Sequence, residues 1–255
     1  MPRLHTIATI AFVALGCIAT ALANQASGTS GTPGTPGTSG TSVQLQPSAP
    51  RPAPVRRPGL FFKEEWRQNE KDDEHPVTQQ SIANPDLELK LYGPSAKEVQ
   101  LTGRADDENN PIHVWTGLCT TPCAVAFSHK ASMVDLSGLA RIRWNTKMSG
   151  FHRVRPIVKL DDGAWLIGNR DEGTITDWIV TEFNISDVRW LKLDIDRVVT
   201  TGNYITSPDL TKVDEIGFAD LIPGSGHGAG GWSDVAQFEV YGKAVPRAAN
   251  TTAER

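Results

Sequence analysis

Short β-forming runs, each closed by a Gly, Asp or Pro turn signal, follow one another through residues 87–243. Strands are expected near Leu87–Leu91, Val99–Thr102, Ile112–Leu118, Cys123–His129, Arg141–Thr146, Val154–Leu160, Ala164–Asn169, Asp177–Ile185, Arg189–Asp196, Val213–Asp220 and Asp234–Tyr241. Several alternate with the period of two that a half-buried strand needs. Ile142 and Trp144 oppose Arg141 and Arg143; Ala236, Phe238 and Val240 oppose Gln237 and Glu239; Leu191, Leu193 and Ile195 oppose Lys192 and Asp194. Asp161-Asp162-Gly163 joins two such runs as a hairpin turn would. No segment carries a long 3.6-residue apolar period, so the chain is expected to be all-β, a sandwich or a barrel.

The flanks are different in kind. Arg3 followed by the apolar stretch Ile7 to Ala23, ending in Ala21-Leu22-Ala23, reads as a secretion signal over residues 1–23, with a mature start at Asn24. This implies a secreted or periplasmic protein. Cys17 after Ala14-Leu15-Gly16 is a rival lipoprotein anchor, weakened by Leu15 where a small residue is expected. Residues 24–58, with Gly at 28, 31, 34, 37 and 40 among Thr, Ser and Pro, read as a disordered linker. Five triplets are too few for a collagen helix. Residues 59–86 are a lead-in segment in which Leu60, Phe61, Phe62 and Trp66 either tack the chain onto the sandwich or form a docking peptide. Residues 244–255 are expected to be a disordered tail. The net charge is −4, one more negative once Arg3 leaves, which argues against nucleic acid as a partner. Apolar residues make up 39% of the chain, enough for one core of about 150 residues. In an oxidising compartment Cys119 and Cys123 are expected to close a disulfide; a zinc site would need two further ligands.

"VDLSGLARIRWNTKMSG" (134–150), "VRPIVKLDDGAWLIG" (154–168), "DWIVTEFNISDVRW" (177–190) and "VDEIGFADLIPGSGHGAGGWSDVAQFEVYGK" (213–243) run in an order that resembles the galactose-binding-like β-sandwich. That jelly roll is shared by many carbohydrate-binding modules, and the order is also similar to the sandwich of the Complex I intermediate-associated proteins. The resemblance covers about residues 87–243. It implies a jelly-roll β-sandwich of galactose-binding-like type with sugar contacts on a sheet face or on rim loops. Fold does not fix function.

The candidate ligand residues follow from strand parity. Arg141 and Arg143 point away from Ile142 and Trp144; Arg155 shares a parity with Arg153 and Lys159; His113 pairs with Trp115, and Trp165 with Asn169. An indole beside Arg, Asn and His suits a saccharide, because the ring stacks on C–H groups while the polar groups bond hydroxyls. Arginines also pair with carboxylates or sulfates, so an anionic sugar is admitted. The opposing reading makes the tryptophans packing residues and the arginines solvated. The Gly-rich stretch Pro223 to Gly231 lacks a phosphate-loop signature. It is either a bland hairpin or a rim loop presenting His227 and Trp232 beside Asp220.

Other chemistry is weakly signalled. Asp106, Asp107 and Glu108, Asp161 and Asp162, and Asp171 and Glu172 could supply a carboxylate pair for glycoside hydrolysis, but all fall in expected turns. Asp194 and Asp196 could share a face and hold a structural calcium. There is no Gly-x-Ser-x-Gly elbow, and Asn184-Ile185-Ser186 and Asn250-Thr251-Thr252 match the glycosylation sequon. The leading reading is a non-catalytic carbohydrate-binding domain. A polysaccharide-active hydrolase and an extracytoplasmic assembly domain remain open.

Overall fold

The computed structural model describes residues 56–228 and 230–247. The expected signal, Cys17, residues 24–55 of the linker, the tail from residue 248 and the Asn250 sequon lie outside the described residues. In chain order the strands are β1 (Leu60–Glu64), β2 (His75–Pro76), β3 (Leu87–Tyr92), β4 (Gln100–Thr102), β5 (His113–Trp115), β6 (Cys123–His129), β7 (Ser132–Asp135) and β8 (Arg141–Met148). There follow β9 (Val154–Leu160), β10 (Trp165–Gly168), β11 (Ile179–Asn184), β12 (Trp190–Asp194), β13 (Val199–Ile205), β14 (Val213–Asp220), β15 (Ser233–Tyr241) and β16 (Lys243–Pro246). Short 3-10 turns at Gln79–Ser81, Ala96–Glu98 and Ile185–Asp187 are the only helical pieces among the described residues.

The strands form two antiparallel sheets. One has seven strands in the order β11-β8-β15-β5-β4-β2, with β1 also on β15. The other has nine, in the order β13-β12-β10-β9-β14-β6-β3, with β7 on β14 and β16 on β7. The alternation read in Arg141 to Trp144 continues through β8 to Met148. Ile142, Trp144, Thr146 and Met148 face inward, and Arg141, Arg143, Asn145 and Lys147 face outward. Between the sheets lies an aromatic core. Phe127 and Phe238 stack 5.7 Å apart, Trp144 meets Phe183 at 5.0 Å, and Phe218 meets Phe238 at 5.9 Å. Tilted aromatic pairs at these distances add to the burial of their area, by about 0.5–1.5 kcal/mol each.

The lead-in segment belongs to the sandwich. β1 pairs with the end of β15 from Leu60↔Tyr241 to Glu64↔Phe238, while β5 takes the start of the same edge. Phe62 and Trp66 are buried in the core, and the Trp66 indole donates to the Val235 carbonyl at 2.8 Å. Glu64 is fully buried and accepts the backbone N–H groups of Trp66, Ala83 and Asn84. Burial raises its pKa while those N–H groups act against the rise. At the other end, β16 carries the fold past residue 243. Strands β1, β2 and β16 thus pair into the two sheets from outside 87–242.

Cys119 and Cys123 are unbonded, buried thiols, so the expected disulfide is not formed in the structure. The turn between them is held another way. The Thr121 N–H donates to Ser95 Oγ at 2.9 Å, and the Thr120 N–H donates to the Glu98 carboxylate at 2.6 Å. The neighbouring Cys119 thiol, together with burial, pushes the Cys123 thiol well above its usual range.

The outer face of the nine-stranded sheet is closed by its own side chains. Ala124, Ala126, Ile157, Trp165, Ile167, Leu193, Val198 and Ala219 form a second buried cluster, with Tyr92, Leu191, Ile195 and Leu221 around it. The turn after β12 brings Val198 onto the chain that follows β3. A side chain at Gly93, which has φ +91°, would strike the Val198 methyl. On the seven-stranded sheet the outer face beside β5 is covered by loop residues instead, His227 lying against Trp115 and Trp178 against His113.

Candidate functional site

On that face the outward positions of β5, β8 and β15 converge. His113 and Trp115 come from β5, Lys147 from β8 and Asp234 from β15; Asp234 sits opposite both Trp115 and Lys147. Thr102 of β4 lies beside them, opposite His113. Loops complete the walls with Glu74, Asn110, Gly226, His227, Gly228 and Trp232. Together they line a cleft of about 240 Å³. A second hollow continues past Lys147, lined by Glu108, Asn109, Thr176, Asp177 and Trp178.

Aromatic rings frame a single amine. Lys147 Nζ lies 5.7 Å from the Trp178 ring centre and 5.4 Å from that of Trp232, distances at which a cation is drawn to an indole face. No carboxylate pairs with Lys147 among the described residues. The Trp178 indole donates to the Asn109 carbonyl at 3.1 Å, and its ring meets His113 at 5.0 Å. Trp115 is only 8% exposed because His227 lies over it, with ring centres 5.1 Å apart. His227 Nε2 is 3.0 Å from both carboxylate oxygens of Glu74. Gly117 is required beneath: a Cβ there would overlap the Trp115 indole.

The Gly-rich stretch is a stitched rim rather than a loose hairpin. Gly224 N–H donates to the Cys119 carbonyl at 2.7 Å, and Gly226 N–H to the Gly117 carbonyl at 2.8 Å. A Cβ on Gly224 would overlap Gly117's carbonyl, so close backbone approach demands glycine there. Asp220 anchors the same region from inside. Its Oδ2 accepts from Ser233 Oγ at 2.7 Å and Thr116 Oγ1 at 3.0 Å and meets His152 Nδ1 at 2.6 Å, while its Oδ1 accepts the Ile222 N–H. Asp220 is 1% exposed and its lone pairs are spoken for.

The floor holds two groups of unusual protonation. Burial pushes the Asp234 carboxyl up to about 8, against the pull of the Lys147 charge. Burial pushes the His113 ring down to about 4. Their nearest atoms, His113 Nε2 and Asp234 Oδ1, are 3.5 Å apart.

The sequence-derived candidates are thus divided. His113, Trp115 and Trp232 meet in the cleft. Arg141 and Arg143 share its sheet face but lie farther along β8, paired with Glu182 and Glu239, and Arg141 stacks on Tyr241. Arg155 and Trp165 belong to the opposite sheet, and Asn169 follows the end of its strand β10. Arg155 donates to the Gly168 carbonyl, Trp165 packs edge-on against Tyr92, and Asn169 accepts the Arg189 N–H. Asp220 lies below the rim and not beside a ligand space. The arginines therefore supply no free anion site in the cleft. Lys147, Asp234, Trp178 and Glu74 were not singled out from the sequence. Lys147 shares the parity of Arg141 and Arg143, a signal that was readable.

The acidic turns are locally engaged. Asp106 binds Arg104, Asp171 binds Arg153, and Glu172 accepts from Thr181. Asp194 ends β12 and accepts the Arg197 N–H, while Asp196 falls in the turn beyond, so the two do not alternate along one strand. Among the described residues no helix is long and apolar enough to cross a membrane.

No family model matches this sequence, and no curated protein is similar to it. Among solved structures the chain is similar to a family 11 carbohydrate-binding module from Clostridium thermocellum in complex with a β-1,3-1,4-mixed-linked tetrasaccharide. Identity is 16%, the TM-score is 0.38, and 66% of this chain and 95% of that chain are covered. The family 11 module of the cellulosomal cellulase Lic26A-Cel5E of Clostridium thermocellum gives 16%, 0.41, 67% and 95%. The module TmCBM61, in complex with β-1,4-galactotriose, gives 14%, 0.33, 61% and 88%.

Proposed function

We propose that this chain is an exported, non-catalytic saccharide-binding protein whose site is the cleft on the outer face of the seven-stranded sheet. The observation that carries the reading is Lys147, an unpaired amine set between the Trp178 and Trp232 rings over a polar floor. Indole faces stack on sugar C–H surfaces, and side chains such as Thr102 and Asn110 are placed to bond hydroxyls. A lone ammonium adds a point charge for a carboxylate or sulfate. The preferred ligand is therefore an acidic saccharide. This replaces the arginine-based argument, since Arg141 and Arg143 carry their own carboxylate partners. The continuation of the cleft past Trp178 gives room for more than one sugar unit of an extended chain.

The test is retention of the purified protein in gels cast with polygalacturonate, with methyl-esterified pectin, with dextran sulfate and with dextran. Selective retention by an acidic polymer, lost in Trp232→Ala and in Lys147→Ala, is expected. Equal retention of wild type and both variants would overturn the assignment of the site. Release of reducing ends from a retained polymer would overturn the non-catalytic part.

A further inference from the structure

The floor of the cleft contains a protonation problem that its geometry solves in one way. Asp234 is 4% exposed, and its Oδ1 has no hydrogen bond. His113 Nε2 faces that oxygen at 3.5 Å, the outer limit of hydrogen-bond reach. The other ring nitrogen is committed, because His113 Nδ1 lies 2.6 Å from the Pro111 carbonyl oxygen. A carbonyl only accepts, so Nδ1 carries its hydrogen. With no further proton, a bare Nε2 lone pair would face carboxylate lone pairs in a dry site. With two further protons, an imidazolium would be buried beside an acid that cannot neutralise it. One further proton could sit on Nε2 as an imidazolium–carboxylate pair or on the carboxyl with its O–H pointing at Nε2; burial of both groups disfavours the charged pair and selects the second, which leaves both uncharged.

The remaining charged and titratable groups around Asp234 are few. Lys147 approaches from β8, His113 from β5, Glu74 from the loop before β2, and His227 from the Gly-rich rim. Glu74 and His227 are joined to each other. While Asp234 is protonated, Lys147 is a cation of the cleft with no carboxylate paired to it among the described residues, and the floor beneath it is neutral. Once the proton leaves, a carboxylate appears at the position directly across the strand pair from Lys147. It would attract the ammonium and repel an incoming anion.

We propose that Asp234 and His113 share one proton on the cleft floor, and that this proton makes the site selective for acidic saccharides by keeping Lys147 free. Asp234 is then a specificity-determining residue rather than a sugar contact. The ligand half of the proposal rests on the reading of the cleft given above. Burial, which lifts the Asp234 carboxyl to about 8 and lowers the His113 ring to about 4, agrees with one shared proton across the neutral range.

Two measurements separate the halves. In the first, without ligand, the protein is labelled with carboxyl-13C aspartate and titrated by NMR, with Asp234→Asn identifying the resonance. A carboxyl that stays protonated at about pH 7 and titrates near 8 is expected; titration in the ordinary carboxylate range, near 4, would overturn the shared proton. The ring nitrogens of His113 give the same answer in unaltered protein. A neutral Nδ1–H tautomer at about pH 7 supports the proposal, and an imidazolium there overturns it. In the second, polygalacturonate affinity is followed across this range. Wild type should lose about tenfold as pH rises from about 7 to about 9, the size of one charge-assisted bond, while Asp234→Asn should stay level. Parallel loss in both proteins, or none in wild type, would overturn the selectivity claim. Failure of wild type to bind any acidic polymer would overturn the saccharide reading and the ligand half with it, while the titration decides the proton half independently.

Discussion

The shared proton on the cleft floor also has a stability consequence that requires no ligand. In the unfolded chain His113 releases its proton near 6.5 and Asp234 near 3.8, and in the folded protein the order inverts to about 4 and about 8. Between about 4 and 6.5 both states of the chain hold one proton on this pair, on Asp234 when folded and on His113 when unfolded. Stability there is independent of pH as far as the pair is concerned. Above 6.5 the unfolded chain has lost its proton while folded Asp234 keeps one. The folded state then binds more protons, so stability falls as pH rises. At 1.36 kcal/mol per pH unit the loss between 6.5 and 8 is about 2 kcal/mol. For a domain of this size that corresponds to a drop in Tm of about 4–8 °C. Urea unfolding of wild type and Asp234→Asn at both ends of the window measures it, read as midpoint shifts at constant m. The asparagine cannot release a proton, so its pair holds equal protons folded and unfolded above 6.5. The wild-type curve should fall relative to the variant's; parallel curves would refute the assignment of a proton to Asp234.

Asp220→Ala should cost about 3 kcal/mol in urea unfolding, because it strands buried Thr116, Ser233 and His152 donors at once. Limited proteolysis should then cut the Gly-rich rim first. Gly117→Ala should displace the Trp115 indole, costing about 1–3 kcal/mol and weakening polymer retention; unchanged retention would remove Trp115 from the account. Trp165→Ala should lose about 3–5 kcal/mol from the cluster on the opposite sheet. Polymer affinity of the fraction that remains folded should stay unchanged, as measured by affinity electrophoresis.

Much of the fold was legible because period-two alternation marks strands that bury one face. β8 showed it plainly; in β15 a bulge between Val235 and Gln237 breaks the alternation, so Val235 joins Phe238 and Val240 in the core where Ala236 was expected. β13 was invisible for the same reason in reverse. Val199–Ile205 is largely exposed, interrupted by Gly202, and offers no apolar alternation to read. β1 was masked by the charged run Lys63, Glu64 and Glu65 at its end, although Glu64 is buried and satisfied by three backbone N–H groups. The site was legible only by halves. Parity correctly sets His113 with Trp115 on one face, but parity within a strand does not say which sheet the strand joins. Trp165 and Arg155 were therefore grouped with residues that lie across the core from them. Asp234 escaped notice because its interest comes from burial and from His113, more than a hundred positions away in sequence.

The most direct test of the cleft is a titration of 15N-labelled protein with oligogalacturonate, following the indole N–H signals of the seven tryptophans. Binding in the cleft should move Trp232 and Trp178 most, Trp115 less because His227 covers it, and leave Trp165, Trp190 and Trp144 in place. Movement centred on Trp165, or no movement at saturating oligosaccharide in a folded protein, would contradict the account.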